Sequence, residues 1–160
     1  MILPTRLVHF SLKLLPAKAI ATQSFLKPGR SKSFHIPRSL KKAFRTEQFI
    51  VRNRNVVTFF PRNDSVNKHL FFLHGGAYAL EVKPSHWGLV KYLVSNTFFK
   101  LSFIDYPLAP EHSYKEAHEM VFQAYSRLVE KHTNDEFYFL GDSAGGGVCL
   151  SFAQILRDMH

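Results

Sequence analysis

The 160-residue sequence has a single cysteine, Cys149, so neither an intrachain disulfide nor a cysteine-rich metal site can form. That thiol lies in a small-residue and apolar stretch and reads as a buried small hydrophobe, not a nucleophile. Apolar runs long enough to cross a membrane, about 18 residues, are missing, because Lys, His or Pro interrupts each one. Nor is there a G-x-x-x-x-G-K-[ST] phosphate loop, an H-E-x-x-H zinc pair, or a strand leading into G-x-G-x-x-G. The expectation is a protein with no metal and no organic cofactor. Nothing calls for an oxidising compartment, and a cytoplasmic location is expected.

Acidic residues are scarce at one end of the chain. Residues 1–60 hold twelve Lys/Arg and one acid, Glu47, whereas residues 61–160 hold nine Lys/Arg and eleven acids. The net charge of +9 is therefore a property of the N-terminal part. Residues 1–46 read as a basic arm with helices and a connector, and residues 47–160 as the body. Within the arm, residues 1–20 are apolar with spaced positive charges. Lys13 interrupts what would be a secretory h-region, and weak peripheral contact with anionic lipid stays open. The basic connector lacks zinc spacing, an RNP-like aromatic motif and a helix-turn-helix pattern, so no nucleic-acid role is expected.

The body alternates. Residues 47–52 and 55–60 suit two strands with a turn at Asn53-Arg54. His69–Leu73 is a short apolar run of the kind covered on both faces in a parallel sheet. Pro84 and Ser85 start a helix whose Trp87, Val90 and Val94 share a face. Phe98–Ile104 is the next strand, and Ser113 with Glu116 forms a capping box before the stripe Ala117, Met120, Val121, Ala124, Tyr125 and Leu128. A strand over 136–141 and a helix over 144–157 follow. Strand–loop–helix repeated three times predicts an α/β sheet, mostly parallel, with flanking helices. Functional residues then belong at the C-terminal strand ends, where loops 74–78, 105–112 and 141–145 all fall.

Ser143 is the candidate nucleophile. Gly141-Asp142-Ser143-Ala144-Gly145 is G-x-S-x-G between a strand and a helix, a turn that holds the serine hydroxyl at the helix N-terminus. A serine attacks well only with a base to take its proton and with donors for the developing oxyanion. Backbone N–H groups of Ala144 and of the loop Gly75, Gly76 and Ala77 are the expected donors. Asp142 and His74 read as loop supports. Asp105, His112 and His118 are formal candidates for acid and base, but in this design both follow the serine, where only Asp158 and His160 remain. Neither is placed to reach the hydroxyl.

Three blocks in order, Phe72-Leu-His-Gly-Gly-Ala-Tyr78, Asp105-Tyr-Pro-Leu-Ala-Pro-Glu-His112 and Phe139-Leu-Gly-Asp-Ser-Ala-Gly-Gly146, resemble the hormone-sensitive-lipase-type branch of the α/β-hydrolases, over roughly residues 45–157. The resemblance implies an α/β-hydrolase fold and a carboxylic ester hydrolase acting on short-chain esters through an acyl-serine. It implies an oxyanion loop at Gly75, Gly76 and Ala77, the remaining donor at Ala144, and loop support from Glu111 and His112. Ala77 stands where a third glycine is common, and Pro107 where an arginine is usual. In this family an aspartate and the catalytic histidine come later, so the chain resembles an N-terminal half, inactive by itself. Strand 136–141 would then be an exposed apolar edge open to association. The alternative is a non-catalytic fragment that binds a complementary half.

Overall fold

The computed structural model describes residues 34–62 and 67–159. The arm over residues 1–33, with its expected lipid contact, and His160 lie outside the described residues. Helix α1 (Arg38–Ala43) precedes the hairpin β1 (Arg45–Val51) and β2 (Arg54–Phe60). Then come β3 (Lys68–Leu73), α2 (Pro84–Thr97), β4 (Lys100–Ile104), α3 (Tyr114–Lys131), β5 (Glu136–Gly141) and α4 (Ala144–Asp158).

The five strands form one sheet in the order β1-β2-β4-β3-β5. The sheet is mixed. β3 runs parallel to both β4 and β5, while the hairpin joins antiparallel through β2 and β4. The hairpin turn sits at Arg52-Asn53, one residue earlier than the sequence suggested, with φ of 47° and 61°. Two successive positive φ values match the right-handed twist of the flanking strands. β4 also starts later than expected, because Phe98 takes φ 59° and ends α2 in the left-handed region.

Side-chain alternation along β3 builds both cores. Phe71 and Leu73 face α3 and α4, where Met120, Val121, Ala124, Leu128, Val148 and Phe152 are buried. Leu70 and Phe72 face α2, packing with Trp87, Val90, Val94 and Phe103. Ile36, Leu40 and Phe44, in the stretch expected as connector, join this second cluster. Each fully buried phenylalanine contributes roughly 1.5–3 kcal/mol. The expected capping box is present: Ser113 N–H donates to Glu116 Oε2 at 2.8 Å, and Glu116 N–H donates to Ser113 Oγ at 3.3 Å.

Among the described residues, β5 is the last strand of the order and pairs only with β3. None of its residues is fully buried, and Tyr138 is exposed. No helix among the described residues is long and apolar enough to cross a membrane.

Candidate active site

β3 and β5 are parallel neighbours that end level, Leu73 opposite Gly141. The loops leaving them, 74–78 and 141–145, therefore emerge side by side. Ser143 occupies the strand-to-helix turn with φ 47° and ψ −118°, immediately before α4, and is exposed. Holding a non-glycine residue there costs on the order of 1–3 kcal/mol. The turn survives because the first turn of α4 lies directly on the end of β3. A β-carbon on Gly145 would overlap the carbonyl oxygen of Leu73, and one on Gly141 would overlap the Gly145 backbone. The G-x-S-x-G glycines are thus a steric requirement of this close approach.

The facing loop is pinned at Gly75. Its N–H donates to Asp142 Oδ1 at 2.8 Å, and its carbonyl oxygen accepts from His74 Nδ1 at 2.7 Å. The His74 carbonyl in turn accepts the Tyr106 hydroxyl at 2.6 Å. The chain then turns through φ values of 132°, 52° and 60° at Gly76, Ala77 and Tyr78. Ala77 sits in the left-handed region, which explains why glycine suits this position.

These bonds sort the expected donors. The Gly75 N–H is already engaged by Asp142. No partner among the described residues takes the N–H of Gly76, Ala77 or Ala144. Asp142 spans the two loops, binding Gly75 in place of the start of its own helix. His74 is buried, its ring stacked on Phe103 and Tyr106. Burial pushes its pKa down to about 4. Glu111 and His112 lie on the turn before α3, where His112 Nδ1 is 3.2 Å from Glu116 Oε1.

No histidine among the described residues hydrogen-bonds Ser143. His86 accepts the Lys83 N–H at Nδ1 (2.8 Å) and turns Nε2 toward Asp142 Oδ2 at 3.4 Å. His118 bonds the Tyr114 carbonyl and the Ser151 hydroxyl. Asp105 is tied to Arg54 at 2.7 Å. Burial nevertheless raises its pKa, more than the Arg54 guanidinium lowers it. Asp158 pairs with the adjacent Arg157 at the far end of α4. Cys149 is buried, which pushes its thiol up to about 11 and keeps it protonated at neutral pH.

The opposite end of the sheet carries a serine–histidine–aspartate chain that the sequence did not reveal. Ser102 Oγ is 2.8 Å from His69 Nε2, and His69 Nδ1 is 3.1 Å from Asp135 Oδ2. Ser102 and His69 are wholly buried and in mid-strand, and Thr58 holds the serine hydroxyl from the other side at 2.7 Å. No substrate reaches this serine. His69, His132 and Asp135 also bring potential ligand atoms within 4.8 Å of one another. The Lys100 ammonium, 2.8 Å from Asp135 Oδ1, already supplies the positive charge that a cation would bring.

A family model for the alpha/beta hydrolase fold matches residues 70–160. The chain belongs to that family. An esterase from Acinetobacter venetianus is 35% identical over 94 residues, covering 58% of this chain and 31% of the relative. Bovine hormone-sensitive lipase is 31% identical over 121 residues, covering 72% of this chain and 14% of the lipase. The chain thus spans at most about a third of these two curated relatives. A solved Staphylococcus aureus structure assigned as an esterase superposes with a TM-score of 0.71 at 24% identity, covering 99% of this chain and 50% of its own. At that identity the likeness establishes the hydrolase fold alone. The matched region contains the candidate oxyanion loop and the serine turn.

Proposed function

We propose that this chain carries the nucleophile and oxyanion-binding half of a carboxylic ester hydrolase for short-chain esters. One observation carries the reading: an exposed serine on a strained turn lies beside backbone N–H groups that no described residue uses. In this mechanism Ser143 Oγ adds to the ester carbonyl and its proton passes to a base. The N–H groups of Gly76, Ala77 and Ala144 hold the negative oxygen, each such donor being worth roughly 3–4 kcal/mol in the transition state. The C–O bond to the alcohol breaks, and the alcohol leaves with that proton. Water then attacks the acyl-serine and releases the acid.

The base and its orienting acid come from outside the described residues, because no described histidine hydrogen-bonds Ser143: His74 is buried, His86 accepts from Lys83, and His112 and His118 bond α3 or α4. The 160-residue chain alone is therefore expected to be inactive or nearly so; impaired triads in other hydrolases retain roughly 10³–10⁴-fold acceleration over water. A second reading, a non-catalytic module that binds a complementary polypeptide, draws support from the one-sided, partly apolar edge of β5.

The test is p-nitrophenyl acetate hydrolysis and fluorophosphonate labelling by the purified chain and by Ser143→Ala. Labelling confined to Ser143 supports the hydrolase reading. Labelling that persists in Ser143→Ala overturns the nucleophile assignment. A folded chain inert in both assays fits the expected inactive half of an esterase and directs attention to the polypeptide that supplies the base.

A further inference from the structure

We propose that His86 is a positioning residue for the oxyanion-binding loop, acting through Asp142. The inference rests on the reading of residues 75–78 as that loop. His86 lies in the first turn of α2 and is buried. The Lys83 N–H donates into its Nδ1 at 2.8 Å, which makes Nδ1 the acceptor and places the proton of the neutral ring on Nε2. Nε2 lies 3.4 Å from Asp142 Oδ2, while Asp142 Oδ1 accepts the Gly75 N–H at 2.8 Å. A relay therefore runs from the backbone of Lys83 through one imidazole and one carboxylate to the backbone of Gly75.

What this relay orients is specific. With Asp142 on its N–H and His74 on its carbonyl, Gly75 is satisfied at both ends of the residue. Its polar groups are thereby taken, and the next two N–H groups, of Gly76 and Ala77, have no partner among the described residues and are left for a ligand oxygen. Gly75 has to be glycine for the same reason, since a β-carbon there would collide with the Asp142 carboxylate. α2 is fastened to the sheet through Trp87, Val90 and Val94, so His86 refers the loop to a rigid helix. Without it, Asp142 would keep a side chain about 40% exposed and free to turn to water. Pre-organised donors of this kind depend on the shell that holds them.

The test reads the tether without turnover, using amide hydrogen exchange and imidazole ¹⁵N spectra of the full 160-residue chain. In the native chain, His86 should show an unprotonated Nδ1 and a protonated Nε2. In His86→Phe, which keeps bulk but removes the donor, Gly75 amide exchange should accelerate at least tenfold while that of Phe71 in β3 stays within twofold. His86→Gln can accept from Lys83 and donate to Asp142, and should restore Gly75 to within threefold of native. Asp142→Ala should match His86→Phe. The proposal is overturned if His86 carries its proton on Nδ1, or if Gly75 exchange is unchanged in both His86→Phe and Asp142→Ala. It is also overturned if Phe71 accelerates in step with Gly75, which would mean a merely structural role. Should His86→Phe fail to fold, the native imidazole spectrum and Asp142→Ala still decide. Fluorophosphonate labelling that persists in Ser143→Ala would overturn the hydrolase reading and leave this outcome intact.

Discussion

The two ends of the sheet invite comparison, because each holds a serine near histidine and aspartate side chains and only one is suited to chemistry. At the start of the parallel strands, Ser102, His69 and Asp135 form an unbroken hydrogen-bonded chain, closed by Lys100 and sealed in the core. At their finish, Ser143 has no histidine partner among the described residues, yet it is exposed, and the N–H groups of Gly76, Ala77 and Ala144 have no partner among the described residues. The inner cluster has the connectivity of a catalytic triad without access or an oxyanion site. The outer one has access and, among the described residues, no base; its proposed donors are backbone N–H groups. Side-chain order alone does not define a hydrolase; the backbone around the serine separates the two.

The comparison breaks most visibly at the buried end. Asp135→Ala takes the carboxylate away from both Lys100 and His69, and breaking a buried ion pair of this kind costs about 3–5 kcal/mol. Urea unfolding should show a loss of that size, whereas Ser143→Ala should leave stability within about 1 kcal/mol of native.

Acid should act next. Burial holds both His69 and His74 down to about 4, below the ordinary histidine value of 6.5. Between those values the unfolded chain binds protons that the folded chain does not, so stability falls as pH drops from 6.5 toward 4 and is level above 6.5. The expected loss is on the order of 3 kcal/mol for each ring, about 6 kcal/mol for the pair, read from denaturant midpoints across that window. A flat profile would place both rings in contact with water.

At the serine end, Gly145→Ala forces a β-carbon onto the Leu73 carbonyl and should cost about 1–3 kcal/mol. It should also blunt any labelling of Ser143, because α4 must move off β3. The smallest effect has the opposite sign. Ala77→Gly relieves a φ of 52° and should stabilise by about 0.5–1 kcal/mol, measured as a raised urea midpoint.

How much of this was legible beforehand follows the range of the interactions. The glycines around Ser143, the Ser113 capping box and the apolar faces of α2 and α3 are local patterns, and each element stands where the pattern put it. The hairpin turn slipped by one residue because Arg52 takes a left-handed φ that its side chain does not announce. Gly75 was expected as an oxyanion donor, and only a bond across 67 residues, to Asp142, engages its N–H. The Ser102–His69–Asp135 chain joins residues 33 and 66 positions apart and has no signature along the sequence. His86 has a faint one: it stands three residues after Lys83, where a capping-box side chain would sit, but Lys and His are not the Ser/Thr and Glu/Gln of that pattern.

The level ending of β3 and β5 has one more consequence. Leu73 and Gly141 are paired backbone to backbone, so the gap between the donor loop and the serine is ruled by strand spacing across the sheet and by about 3.3 Å per residue along it. Exchanging core side chains on either face leaves that ruler unmarked. Deleting a single residue from β5 would withdraw the serine by one graduation and flip every side chain of the strand to the opposite face. Inheritance can therefore edit the packing of this half-sheet freely, while its strand lengths are close to immutable.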